Sequence, residues 1–273
     1  MPEQEGVIYA IQDNGDLLWY RHEGWRDGSF NWTSNEGKTV GYGWTYKQVF
    51  SGGGNGVIYA LADNNDLLWY RHDGRDDGSF RWASSVGTPV GYEWNYKQIF
   101  SGGGSVIYAI THDSRLLWYR HDGWHDGSFN WASNEGLEIG HGWGFKQVFS
   151  GGGNGVIYAV TDIGELWWHQ HTGWSDGSKT WASGGKKIGH GWDFNQEFGG
   201  MDGVIYAITP LTMDFAQPIG GSPYVGGDLL WYQHTGWRDG SEQWASGAKT
   251  VGHRWGGFTT VFAGDSGYHP ILH

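Results

Sequence analysis

The sequence contains no cysteine, which excludes disulfides, thiolate metal ligands and cysteine nucleophiles. Long apolar runs are also missing, and residues 7–11 form one of the longest. That run is far shorter than the ~20 residues that a membrane-spanning helix needs, so we expect no membrane insertion. Residues 1–5 have neither a basic segment nor an apolar stretch. We therefore expect a cytoplasmic protein, or one released without a signal peptide.

Basic residues are scarce, because 17 Lys and Arg stand against 29 Asp and Glu and give a formal net charge of −12. A chain this acidic repels phosphate backbones and anionic lipid headgroups. Nucleic acid and membrane surfaces are therefore excluded as expected partners.

No 3.6-residue apolar period is present, so helices are not expected. Glycine and aromatic residues are abundant instead: the chain has 50 Gly and 20 Trp, and 17% of its residues are aromatic. Aromatic residues pack on sheet faces and glycine occupies turns, whereas disordered chains have few aromatics. The composition predicts an all-β protein.

One unit of about 50 residues is repeated five times. Its V-I-Y-A motif begins at Val7, Val57, Val106, Val156 and Val204. Each copy contains four short strand candidates, and a period near 50 with several strands per unit is typical of a β-propeller. The sequence predicts a single domain over residues 1–273, a five-bladed β-propeller with four antiparallel strands per blade. The repeats are approximately 6–55, 56–104, 105–154, 155–202 and 203–264.

The two ends of the repeat array are complementary. The chain opens on a V-I-Y-A strand, and residues 258–262 repeat the strand that precedes V-I-Y-A elsewhere. We predict that this C-terminal strand joins the N-terminal blade and closes the ring, which removes free sheet edges. The fifth unit also carries an insertion at residues 210–227, predicted to be a protruding loop, with a lid or an oligomer contact as alternatives.

Residues 131–146 follow the pattern W-A-x(n)-[IV]-G-x-G-W-x-[FY]-K, and a V-F strand, a glycine-rich turn and V-I-Y-A come next. This pattern recurs five times, with Glu93 and Arg254 in place of the glycine before the tryptophan. It resembles the tachylectin family of five-bladed β-propeller lectins. The resemblance implies a ring-shaped lectin that binds N-acetylated amino sugars, such as N-acetylglucosamine, through one shallow pocket per blade.

A loop motif, H-x-G-x-x-D-G-S, occurs in every unit. Its histidines are His22, His72, His121, His171 and His234, and its aspartates are Asp27, Asp77, Asp126, Asp176 and Asp239. We predict that the aspartates accept hydrogen bonds from ligand hydroxyls. For the histidines, ligand contact competes with a buried hydrogen-bond network that holds the loop. A catalytic triad is disfavoured because one strained site is not copied five times.

The same loop carries a tryptophan in four units, namely Trp25, Trp124, Trp174 and Trp237. The second unit has Arg75 there. Sugar rings stack their C–H faces on aromatic rings, so these tryptophans are candidate platforms for a ligand, which predicts four good pockets and one weakened pocket. The alternative is that they wedge between adjacent blades.

Near-identical loops suit a multivalent binder, whereas a propeller enzyme breaks the symmetry at one site. We therefore expect a multivalent carbohydrate-binding lectin whose partners are glycans or glycoproteins. No recurrent grouping of histidines with carboxylates is present, so neither a metal nor a cofactor is predicted. The alternatives are a sugar-active hydrolase or lyase with one site near the 210–227 insertion, and a scaffold for protein partners.

Overall fold

The computed structural model describes residues 5–34, 36–84, 86–133, 135–213 and 224–264. Within these ranges the regular structure is β-strand apart from one short 3₁₀ turn, Trp255–Gly257. None of the helical structure in this part of the chain is long enough to cross a bilayer. Residues 214–223, the centre of the predicted insertion, lie outside the described residues, and the flanking strands β18 (Leu211–Met213) and β19 (Tyr224–Gly226) pair with each other.

The remaining strands form five four-stranded antiparallel sheets, the blades. From the innermost strand outward, the first blade consists of β22 (Phe258–Ala263), β1 (Val7–Gln12), β2 (Leu17–Arg21) and β3 (Lys38–Gly41). The second consists of β4 (Gln48–Ser51), β5 (Val57–Leu61), β6 (Leu67–Arg71) and β7 (Thr88–Gly91). The third consists of β8 (Gln98–Gly103), β9 (Val106–Ile110), β10 (Arg115–Arg120) and β11 (Leu137–His141). The fourth consists of β12 (Gln147–Ser150), β13 (Val156–Val160), β14 (Glu165–Gln170) and β15 (Lys186–His190). The fifth consists of β16 (Gln196–Gly199), β17 (Val204–Ile208), β20 (Leu229–Gln233) and β21 (Lys249–Gly252).

The C-terminal strand closes the ring. In the first blade β22 pairs antiparallel with β1, with Ala10 opposite Val261 and Tyr9 opposite Phe262. Each innermost strand contacts the innermost strands of both neighbouring blades, and β22 lies between β16 and β4. The five-bladed propeller and its closure by the C-terminal strand are confirmed.

The V-I-Y-A strand is apolar on both faces because each blade is packed between two others. In β1, Val7 and Tyr9 face an apolar cluster shared with the second blade, whereas Ile8 and Ala10 face a cluster shared with the fifth blade. Alternating residues of one strand therefore enter two different cores. A run without polar alternation is what a strand buried on both faces requires.

Candidate functional site

The motif histidines lie between blades and are 0% exposed. Each Nε2 is 2.7–2.9 Å from the carbonyl oxygen of its own motif serine. Each Nδ1 is 2.7–2.9 Å from a tyrosine hydroxyl of the preceding blade, as in the pair His72 and Tyr9. A carbonyl oxygen only accepts, so Nε2 carries the proton and Nδ1 accepts the tyrosine O–H. Burial lowers the pKa of all five imidazoles, which favours this neutral form.

The histidine positions thus join each loop to the neighbouring blade, as the structural alternative for His22, His72, His121, His171 and His234 predicts. Both ring nitrogens have protein partners, so the imidazoles offer no open hydrogen-bonding atom at the surface. Ligand contact through these residues stays a prediction.

The loop tryptophans pack inward. Trp25 and Trp237 are 7% exposed and belong to apolar clusters between blades, and Trp124 and Trp174 are half-buried against equivalent clusters. The guanidinium of Arg26 lies 4.4 Å above the Trp25 ring. This is the wedge arrangement, and the use of these rings as sugar platforms stays a prediction.

The backbone at this loop position makes the contact that all five copies share. The carbonyl oxygen of Arg75 accepts a hydrogen bond from the Trp19 indole at 2.8 Å, and the four tryptophan carbonyls accept the same bond from the equivalent indoles. Since a backbone carbonyl makes the bond, the side chain can change. The arginine of the second unit therefore has a structural explanation that does not involve a ligand.

The motif aspartates shape the loop. In every copy one carboxylate oxygen accepts the backbone N–H of the motif serine at 2.9 Å, as Asp27 does from Ser29. These bonds lower the pKa of each aspartate, and the carboxylates lie at the surface. Asp27, Asp77, Asp126, Asp176 and Asp239 are exposed, but neither they nor the other predicted site residues line the pockets described next.

Three pockets open at junctions between blades, and we name each by the two blades that form it. Pocket 1–2 has a volume of about 580 Å³, pocket 3–4 of about 590 Å³ and pocket 5–1 of about 450 Å³. In each, one wall is the segment that leaves the outermost strand of a blade. The other wall is the third strand of the next blade, counted from the innermost, with the long loop that follows it. Pocket 1–2 is thus built from residues 41–46 and residues 68–87.

The floor of each pocket is a cluster of three aromatic rings. In pocket 1–2 the Trp44 ring centroid is 4.7 Å from that of Tyr70 and 5.5 Å from that of Trp82. Equivalent trios occupy the other four junctions at 4.6–4.8 Å and 5.5–5.8 Å: Trp94, Tyr119 and Trp131; Trp143, His169 and Trp181; Trp192, Tyr232 and Trp244; Trp255, Tyr20 and Trp32.

Backbone hydrogen bonds hold these rings in place. The Trp82 indole donates to the Val40 carbonyl of the first blade at 2.7 Å, and the Trp44 N–H donates to the Gly15 carbonyl at 2.9 Å. Gly87 allows Tyr70 to lie flat, because a Cβ at Gly87 would be 2.6 Å from the tyrosine Cζ. The floor is therefore preorganised before any ligand binds.

Polar groups are few and convergent in pocket 1–2. The hydroxyls of Tyr46 and Tyr70 are hydrogen-bonded to each other at 2.5 Å. Burial raises the pKa of Tyr70, so its hydroxyl stays protonated. Pocket 3–4 has Phe145 and His169 in place of this pair, and burial lowers the pKa of His169 to about 4.

The rim of pocket 1–2 is an exposed aromatic pair. Tyr42 is 69% exposed and Phe80 is 55% exposed, and their ring centroids are 5.7 Å apart across the junction. Equivalent pairs at 5.8 Å are Tyr92 with Phe129 and Phe30 with His253. At the other two junctions the phenylalanine position is occupied by Lys179 or Glu242. Exposed apolar groups clustered at a pocket mouth are typical of binding surfaces.

An aromatic floor with a few hydroxyl and amide groups suits a ligand that has an apolar face and a polar rim. Acid–base hydrolysis of a glycoside needs two carboxyl groups about 5–10 Å apart, whereas none of these three pockets is lined by more than one. Among the described residues, no group of three or more His, Asp or Glu side chains could hold a metal ion.

The sequence patterns did not identify these pockets. One signal was available: a phenylalanine follows the D-G-S motif in the first three repeats, at Phe30, Phe80 and Phe129. A large apolar residue recurring in a polar loop indicates an exposed contact.

A family model described as Tachylectin matches residues 1–148 and 123–213. No curated protein sequence matches the chain. The chain is similar to three solved structures. "YCF48 bound to D1 peptide" is 15% identical, and the match covers 92% of this chain and 70% of that chain with a TM-score of 0.33. AofleA from Arthrobotrys oligospora is 12% identical, with 89% and 68% coverage and a TM-score of 0.41. The SapL1 lectin in complex with alpha methyl fucoside is 17% identical, with 91% and 98% coverage and a TM-score of 0.37.

At TM-scores below 0.5, these three likenesses carry no information about the ligand of this chain. The family match is different, because it spans well over half of the sequence. This protein therefore belongs to the tachylectin family of carbohydrate-binding lectins.

Proposed function

We propose that the protein is a multivalent lectin that binds N-acetylated amino sugars in the pockets between its blades. The observation that carries this proposal is the aromatic trio at each of the five junctions, open at the surface through pockets of about 450–590 Å³ in the three described above. That size accommodates a monosaccharide or a disaccharide.

The half-buried indole of Trp82 and the exposed ring of Phe80 supply aromatic surface for the C–H face of a sugar in pocket 1–2. The hydroxyls of Tyr46 and Tyr70 line the same pocket, where they can form hydrogen bonds with the hydroxyl groups of the sugar. An acetamido group has an apolar methyl and an amide, so it suits a pocket that is mostly apolar with a few polar atoms.

Repetition around the ring supplies the affinity that one shallow pocket lacks. Open sites of this kind bind single sugars weakly, and a surface that displays many copies of the sugar engages several pockets at once. Linking sites in this way raises the overall affinity by factors of roughly 10² to 10⁴. We therefore expect strong binding to sugar-coated surfaces and weak binding to the free monosaccharide.

The test replaces the exposed phenylalanines Phe30, Phe80 and Phe129 by serine in one variant. Each change removes an aromatic contact of about 0.5–1.5 kcal/mol, which weakens each affected site by roughly three- to tenfold. Retention on beads coated with N-acetylglucosamine should fall by more than that factor, because three of the five junctions are weakened together.

The matched control is Ile163→Ser, which removes an apolar side chain that is 81% exposed in a turn of the fourth blade and lines none of the three pockets. This variant should be retained on the beads like the unmodified protein. Equal retention of the triple variant and the control would contradict the proposed location of the sites.

A further inference from the structure

Pocket 3–4 differs from its counterparts at the rim. Lys179 stands where Phe30, Phe80 and Phe129 stand in the first three repeats, and His141 replaces the tyrosine of pocket 1–2. The exposed aromatic pair is therefore missing, and a cation takes its place at the mouth of a pocket of about 590 Å³.

The ammonium of Lys179 is exposed, and no carboxylate of the described residues lies within 4.0 Å of it. The pocket contains one carboxylate, that of Glu138, whose ion-pair partner is Arg115 at 3.6 Å, and Arg115 also pairs with Asp113 at 2.9 Å. Lys179 itself has no carboxylate partner among the described residues, in a chain whose formal net charge is −12.

The floor of the same pocket has an unmet hydrogen-bonding requirement. His169 occupies the position of Tyr70, but its Nε2 is buried without a protein partner, whereas the Tyr70 hydroxyl is bonded to Tyr46. A buried polar atom without a partner is costly. The His169 ring also lines pocket 3–4, so the floor of this pocket differs in chemistry from that of pocket 1–2.

The other junctions differ in charge. In pocket 5–1 the residue after the D-G-S motif is Phe30, and the cation of the lining, Arg254, lies instead on the segment that follows the outermost strand of the fifth blade. At the junction of the fourth and fifth blades, the residue equivalent to Lys179 is Glu242, which repels anions. Among the five rim positions that follow the D-G-S motif, a cation occurs only at Lys179.

We propose that pocket 3–4 binds the carboxylate-bearing unit of an acidic saccharide, with the carboxylate on Lys179 and a hydroxyl or acetamido group against His169. This inference rests on the proposed lectin function and assigns a separate ligand class to one of its sites. The ring then combines pockets for neutral sugar units with one pocket for an acidic unit.

The test compares two disaccharides that share N-acetylglucosamine, namely the hyaluronan disaccharide, which carries a carboxylate, and neutral chitobiose. Both are titrated by calorimetry at low and high salt into the unmodified protein and into Lys179→Glu. Reversing one exposed charge should weaken binding of the acidic disaccharide by about five- to tenfold. High salt should reduce only the acidic ligand's affinity.

The matched variant is Glu242→Lys, which places a cation at the equivalent rim position of the next junction. It should add a second site for the acidic disaccharide. Both substitutions lie on exposed side chains, and circular dichroism checks that the fold is kept.

Two results refute the acidic site and leave the lectin proposal standing. In the first, chitobiose binds and the acidic disaccharide does not. In the second, the acidic disaccharide binds equally to the unmodified protein and to Lys179→Glu. If neither disaccharide binds, the proposed function fails and this inference fails with it.

Discussion

At the residue scale, Glu197 is a carboxyl group in an apolar position. It lies on β16, where the other innermost strands have Val49, Ile99, Val148 and Val261, and it is 2% exposed. Neither carboxylate oxygen has a hydrogen-bond partner, and burial raises its pKa to about 7. The folded state therefore holds a proton that the unfolded chain releases near pH 4.5, so stability decreases as the pH rises between these two values.

Replacing Glu197 by valine should raise the free energy of unfolding by about 2–3 kcal/mol at pH 8, where the buried charge is fully present. The gain should be much smaller at pH 4, where the carboxyl is protonated in both states. Urea denaturation at the two pH values measures both quantities. Glu197→Gln, which keeps the shape but cannot ionise, should lose the same pH dependence, and an equal gain at both pH values would refute the assigned pKa.

The loop tryptophans give opposite predictions for their two interpretations. Because Trp237 is buried in the cluster between the fourth and fifth blades, Trp237→Ala should cost about 3–5 kcal/mol in unfolding free energy. The sugar-platform interpretation predicts a nearly unchanged melting temperature and lost binding. Thermal denaturation separates them, and Phe80→Ala, an exposed aromatic, is the control that should melt like the unmodified protein.

The sequence could show that these tryptophans recur but not which way they face. Their environment comes from another blade: the Trp25 carbonyl receives its hydrogen bond from Trp231, which is 206 residues away. A contact at that separation leaves no local pattern. The sequence likewise does not show that Glu93 and Arg254, which stand where other repeats have glycine, keep the positive φ of Gly43. Their φ angles are 61° and 66°.

At the scale of the strand, the sequence predictions were accurate where the apolar pattern is strong. The apolar pattern of the first repeat predicts its third strand near residues 38–41, and β3 spans Lys38–Gly41. The same pattern predicts the fourth strand from residue 45, but β4 begins at Gln48, because residues 42–46 leave the sheet to form the wall of pocket 1–2. The difference between prediction and structure lies at the candidate site, where these residues line the pocket and do not pair in the sheet.

Ring closure by β22 can be tested with a disulfide, because the natural chain has no cysteine to interfere. Ala10 and Val261 are opposite each other in the ladder, and such Cα atoms lie about 4.5–5.5 Å apart, within disulfide range. The double variant Ala10→Cys with Val261→Cys should oxidise to an intramolecular bond, seen as a mobility shift under denaturing conditions. The control, Ala10→Cys with Thr259→Cys, is displaced by two residues and should stay reduced, and the reverse result would contradict the register.

At the scale of the whole molecule, pocket 5–1 exists only because the ring is closed. Pocket 5–1 combines Tyr20 and Trp32 near the start of the chain with Trp255 and Phe258 near its end. The repeat period is sufficient to predict five blades, and one site per blade is what the resemblance to the tachylectin family implies. It could not place the sites, because each pocket wall comes from a different repeat and the two walls meet only after folding.

Differences among the five junctions are also a property of the assembled ring. Three junctions have an exposed aromatic pair at the rim, and two have a lysine or a glutamate in place of the phenylalanine. The fivefold repeat therefore holds five similar floors under rims of different chemistry. The backbones of the five blades are alike, so the exposed rim side chain of one blade can change while the fold of its neighbours stays the same.

A crystal structure of the protein soaked in N-acetylglucosamine is the decisive test of the sites between the blades. We expect sugar density over the aromatic floors, at pocket 1–2 and at its equivalents around the ring. Density confined to a single site, or lying against the loops that carry Trp25 and His22 with the junctions empty, would contradict it.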